Sequence, residues 1–157
     1  MERLLNIRLL FAMMAIILAL NFSTQVWAQG NGYVQVQSKK SFEETVSSLR
    51  RMVAKNQMMV LAEINHGKIL SMTGLTFNGM SLFIGNPTIG KKLFSADQGV
   101  GVAVPIRVNI YEATDGHTYI NYVKPSAQLA PFSNPKVGMI AKKLDEKLAK
   151  LTGMLSR

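Results

Sequence analysis

The stretch GVGVAVPIRVNIYE, Gly99 to Glu112, alternates apolar and other residues more regularly than any other part of the chain. Val102, Val104, Ile106, Val108 and Ile110 fall on one side of a pleated strand, and Ala103, Pro105, Arg107, Asn109 and Tyr111 on the other. A helix would scatter these β-branched residues around its surface, so the pattern predicts a strand. Pro105 has no N–H for the ladder and marks an edge position or a bulge. Asp115-Gly116 is a favoured two-residue hairpin turn. The chain then returns as HTYINYV, with Tyr119 and Asn121 alternating against Ile120 and Tyr122. A hairpin requires antiparallel pairing, and its aliphatic side needs a cover.

Two amphipathic helices can supply that cover. In SFEETVSSLRRMVAKN, Ser41 and Glu44 form a capping box, and Phe42, Val46, Leu49 and Val53 recur at helical spacing. Near the end, Asn134 caps a helix and Pro135 fits its first turn. Val137, Ile140, Leu144, Leu148 and Leu151 run down one side of it. YVQVQS reads as a strand. QMMVLAEIN reads as another, with Met58, Val60, Ala62 and Ile64 on one face and Met59, Leu61 and Glu63 on the other. HGKILSMTG is a one-turn helix or a loop, MSLFIG a strand, NPTIGKKLFSA a short helix, and KPSAQLAPFSNP a loop or broken turn. The expected architecture is α+β: a two-layer sandwich in the order β-α-β-β-α-β-β-α, with a mainly antiparallel sheet carrying both long helices on one face.

Of the 157 residues, the first 28 read as a secretory signal peptide. Arg3 and Arg8 precede an apolar run from Leu9 to Leu20, too short to span a bilayer, and Val26-Trp27-Ala28 offers a cleavage site. Export to the periplasm or the extracellular space is the expectation. The chain carries a net charge of +9, and loss of Glu2, Arg3 and Arg8 with the leader leaves +8 on 129 residues. This charge favours weak association with an anionic envelope surface over a nucleic-acid partner, which an exported protein rarely meets. Cysteine is absent, which excludes disulfides, thiol nucleophiles and cysteine-ligated zinc.

Ordered motifs along the chain carry a family likeness. They are SFEETV with Leu49, the triplet Ile64-Asn65-His66, the step Thr73-Gly74-Leu75, the run Phe83-Ile84-Gly85-Asn86-Pro87 with Gly90, Pro105 followed by Ile106 to Glu112, and Gly116, Tyr122 and Pro125. In these the chain resembles the DUF302 family, a bacterial domain of unknown function, over a single domain spanning residues 33–155. The resemblance implies a compact two-layer α+β domain, paired as a homodimer, and no reaction. Asn65 stands where the family often has an aspartate before the histidine, and Ala103-Val104 where it commonly has an acid, so a catalytic carboxylate at either place is lost here.

Several residues are candidates for a site. IGNPTIGKK, Ile84 to Lys92, either holds an anion on the N–H groups of a helix start or only turns a strand into a helix; it matches neither a P-loop nor a dinucleotide fingerprint. Arg107, Asn109 and Tyr111 share one strand face, which Tyr119 and Asn121 can join from the hairpin partner. That face is open to a ligand, a second copy or solvent. The sequence thus suggests a small-ligand-binding or structural module, with His66, Asn86, Lys91, Arg107, Tyr111 and Tyr122 as candidate contacts to a small anionic ligand. No catalytic residue, metal ligand or cofactor is assigned. The alternative is a hydrolase or metal-dependent enzyme centred on His66, with His117 as the second histidine. The seven methionines after the leader follow no ligand spacing and read as core.

Overall fold

The computed structural model describes residues 32–156; the signal-peptide reading lies outside them. Five strands form one sheet in the order β1-β5-β4-β3-β2, every neighbouring pair antiparallel. They are β1 (Tyr33–Gln37), β2 (Met59–Asn65), β3 (Gly79–Gly85), β4 (Ile106–Glu112) and β5 (Thr118–Val123). Five helices punctuate them: α1 (Phe42–Lys55), α2 (His66–Ser71), α3 (Pro87–Ala96), α4 (Pro125–Gln128) and α5 (Pro135–Gly153). The two-layer α+β arrangement expected from the sequence is the one observed.

Local chemistry explains the long helices. The Ser41 hydroxyl accepts the Glu44 N–H, and the Glu44 carboxylate accepts the Ser41 N–H, completing the capping box. Helix α1 then buries Phe42, Val46, Leu49 and Val53, and α5 buries Val137, Ala141, Leu144, Leu148 and Leu151. These stripes meet Leu82 and Ile84 of β3, Ile106, Val108 and Ile110 of β4, and Ile120 and Tyr122 of β5. A smaller cluster of Leu93, Val100, Leu129 and Val137 closes the end where α3 meets α5. Outside the core, Arg50 of α1 grips Glu63 of β2 with two hydrogen bonds, at 2.7 and 2.5 Å. The guanidinium holds the Glu63 carboxyl below the usual glutamate range.

Three readings are corrected. The long alternation is not one strand: Gln98–Val102 forms a 3-10 turn, and β4 begins at Ile106. Asp97 starts that turn by accepting the Gly99 N–H at 2.8 Å, and Pro105 cannot extend the ladder backwards. Val102 is accordingly 88% exposed, and Val100 takes the buried position instead. In β2, a bulge at Leu61 reverses the alternation. Val60 and Glu63 lie opposite the helix-side Ile84 and Leu82, while Ala62 and Ile64 lie opposite Phe83 and Ser81 on the other face.

The hairpin turn is one residue longer than expected. Gly116 N–H donates to Ala113 O, and Ala113 N–H to His117 O, around Thr114-Asp115-Gly116, with Gly116 at φ +78°. The segment after β5 contains the short α4, whose Ser126 donates both its N–H and its hydroxyl to Asp145 of α5. The ambiguous HGKILSMTG resolves into α2, capped by Asn65 Oδ1 on the Lys68 N–H at 2.8 Å. Among the described residues, no helix is long and apolar enough to cross a membrane.

Candidate ligand cleft on the open sheet face

Strand parity sends every second side chain to the face the helices do not cover. Register places Ser81 of β3 opposite Asn109 of β4, Asn109 opposite Asn121 of β5, and Asn121 opposite Gln35 of β1. A polar row therefore crosses four strands. One row along, Tyr111 faces Tyr119, and their rings stack with centroids 5.6 Å apart. A cleft of about 240 Å³ opens over this face, lined chiefly by Tyr33, His66, Ser81, Arg107, Asn109 and Asn121.

Hydrogen bonds tie the row together. His66 Nε2 lies 2.8 Å from Ser81 Oγ, and the Ser81 hydroxyl donates to Asn109 Oδ1 at 3.3 Å. With its one proton so directed, Ser81 Oγ accepts from His66 Nε2–H. At the other end, Asn121 Nδ2 donates to the Tyr33 hydroxyl at 2.7 Å, and Tyr33 and Tyr111 both donate to Gln35 Oε1. Burial pushes the Tyr111 phenol above its ordinary value, helped by Tyr33 and Asp115, so it stays a neutral O–H at physiological pH. Arg107 is exposed on the cleft floor, and the one ion pair among the described residues is Arg50–Glu63, elsewhere. The cleft thus presents one permanent cation amid polar donors and acceptors.

Of the six candidate contacts, three come together: His66 and Arg107 line the cleft, and Tyr111 stands on the same face. Tyr122 borders the same cleft, but it is 4% exposed and packs in the core on the helix side, as its parity with Ile120 requires. The other two lie elsewhere. Asn86 is consumed within the chain: its Oδ1 accepts the Ile89 N–H at 2.9 Å, and its amide donates to Gln57 O. The glycine-rich stretch is therefore a strand-to-helix turn with its own cap. Lys91 faces a separate hollow with Lys136 and Asn134. Sequence reasoning missed Tyr33, Gln35 and Ser81. The signal was present, since Ser81 is the polar alternate in MSLFIG, and Tyr33 and Gln35 are the alternates to Val34.

The enzyme alternative finds little here. Among the described residues, no group of three or more His, Asp or Glu side chains is placed to hold a metal ion. His117 sits at the hairpin beside Asp115, whose carboxylate accepts the His117 N–H, and takes no part in the cleft. Ser81 is 2% exposed, and no carboxylate orients the His66 ring among the described hydrogen bonds.

Residues 34–155 match the model of "Domain of unknown function DUF302". The chain is also similar to a solved structure described as an uncharacterized conserved protein DUF302 from Bacillus stearothermophilus. That likeness has a TM-score of 0.74 at 20% identity, covering 79% of this chain and 98% of the other. Among curated proteins, none matches the chain.

Proposed function

As the chain belongs to the DUF302 family, we propose that it is a binding module whose open sheet face takes a small anion. The observation that carries this reading is Arg107, a guanidinium on the cleft floor with no carboxylate within 4 Å among the described residues. A carboxylate or phosphate would accept two N–H bonds from it. The phenol of Tyr33, the amide of Asn121 and the free face of His66 lie around the same cleft. The fold does not need a ligand to satisfy itself, because no buried side-chain nitrogen or oxygen among the described residues lacks a partner.

Calorimetry and amide-shift titrations with inorganic phosphate, acetate and succinate test the reading. At least one should bind at millimolar concentration or below, shifting β3, β4 and β5 amides. Arg107→Gln should weaken it about tenfold or more, since a charge-assisted hydrogen bond contributes about 1.5–3 kcal/mol. Silence from all three anions, or binding indifferent to Arg107→Gln, overturns the reading.

A second reading, self-association into a homodimer, rests on the β2 edge. Met59, Leu61 and Ile64 of β2 are exposed, and Ile69, Met72 and Leu75 extend the apolar patch. Residues 56–67 contain no Lys or Arg in a strongly basic chain, so this edge is one where two copies can meet without repulsion. Light scattering should report twice the monomer mass, falling to the monomer in Leu61→Lys/Ile64→Lys. A wild-type monomer at high micromolar concentration excludes the dimer. The apolar run Leu9–Leu20 supports an exported setting for either role.

A further inference from the structure

A second hollow lies on the helix side of the sheet; none of its wall belongs to the cleft, and Leu61 is shared with the β2 edge. It is a cavity of about 200 Å³ beneath α3, walled by Met58, Leu61, Ile89, Leu93, Phe94 and Leu144. Apart from Asn86, whose polar atoms are already bonded within the chain, its side chains are apolar. Such a volume admits about seven heavy atoms at the roughly 30 Å³ that each water occupies in the liquid. Phe94 and Leu61 stand at its rim, 44% and 52% exposed.

Two further features bear on what this place could accept. The first is Gly90, in the interior of α3 and on the cavity wall. A glycine inside a helix is destabilising relative to alanine. Nothing in the chain requires it, because a Cβ built there meets no atom within 4 Å and its φ is not positive. The space over Gly90 on this wall is open. The second is charge. Ile89 and Leu144 also border the neighbouring hollow between α3 and α5, which is lined by Lys92, Lys143, Lys147 and Lys150 against the single acid Glu146. An apolar slot and a cationic groove share a wall.

We propose that this place binds an anionic amphiphile, with a hydrocarbon chain of about six to eight carbons in the cavity under α3 and a carboxylate or phosphate head on Lys92 and Lys143. Charge complementarity selects the head, and the lining selects the tail. Burial of the methylenes supplies most of the affinity and the lysines most of the specificity.

Titration with sodium octanoate, 1-octanol and inorganic phosphate separates these parts. Octanoate should bind at sub-millimolar concentration, with shifts at Ile89, Leu93 and Leu144 methyls. Octanol should bind more weakly, and phosphate should leave those methyls unmoved. Gly90→Leu, which suits a helix and projects into the open space, should keep or raise the melting temperature while weakening octanoate at least tenfold. Lys92→Gln/Lys143→Gln, two exposed changes, should bring octanoate to the level of octanol and remove its salt dependence. Vesicles containing anionic phospholipid distinguish the source of the amphiphile: tighter capture by vesicles than by octanoate identifies a bilayer lipid, and the reverse a free one. Absence of octanoate binding, equal binding to Gly90→Leu, or phosphate shifting the same methyls overturns the proposal. A failure here with phosphate still moving β4 amides leaves the Arg107 cleft standing, and the converse result separates the two sites the other way.

Discussion

Val108→Asp should abolish folding, whereas Asn109→Asp, one residue along the same strand, should leave a cooperative fold. Val108 lies at the centre of β4, fully buried, opposite Leu82 on one side and Tyr122 on the other. Helices α1 and α5 close over it, so a carboxylate there has neither water nor a cation. An uncompensated buried charge costs about 3–5 kcal/mol, and an aspartate that protonates to avoid this still forfeits the valine packing. Domains of this size have total stabilities of about 5–15 kcal/mol, so most of the margin goes. Asn109 faces the cleft, and its Oδ1 accepts a hydrogen bond from Ser81, which an aspartate oxygen accepts equally well. Far-UV circular dichroism and thermal melts read both variants. Equal tolerance at the two positions would mean that the sheet does not have one dry and one wet face.

That difference between neighbours was legible in the sequence because β4 is central and its period of two is enforced by burial. Helix α1 was equally legible, since Ser41, Glu44 and the four buried apolar residues repeat one message at three levels. Other parts were not. The valines at 100, 102 and 104 continue the period of two into a segment where Asp97 and two glycines build a 3-10 turn instead. Alternation counts residues and does not register the Asx bond that competes with it. The bulge at Leu61 depends on how β2 meets β3, a property of the pair rather than of either strand.

The cleft was half legible for a related reason. Strand parity identified Arg107 and Tyr111 on one face, and the same parity, applied to TYINYV, assigns Tyr122 to the core. The remaining lining comes from β1, β3 and the β2–α2 junction, elements separated by up to 88 residues from their hydrogen-bond partners. Only the strand order β1-β5-β4-β3-β2 brings Tyr33 to Asn121 and His66 to Ser81. Sequence spacing carries no trace of that order.

Gly67→Ala should lower the melting temperature by several degrees and detach His66 from the cleft, against the usual benefit of alanine in a helix. Gly67 is the second residue of α2, and a Cβ there would stand 2.3 Å from the carbonyl oxygen of Phe77. Backbone is not the far end of a flexible side chain, so either α2 or the segment leading into β3 must shift. Overpacking of this kind costs about 1–3 kcal/mol, while replacing a helical glycine by alanine gains at most about 1 kcal/mol. The clash therefore wins. Because His66 is the residue before Gly67, a displaced α2 moves the ring away from Ser81 Oγ, which it meets at 2.8 Å. Gly138→Ala in α5 is the control: nothing lies within 4 Å of a Cβ there, so it should raise the melting temperature. The His66 ring resonances should move in Gly67→Ala and stay in place in Gly138→Ala. If the two variants melt alike and the His66 signals are unchanged, α2 does not press on the β3 approach, and the positioning of His66 over the open face has another cause.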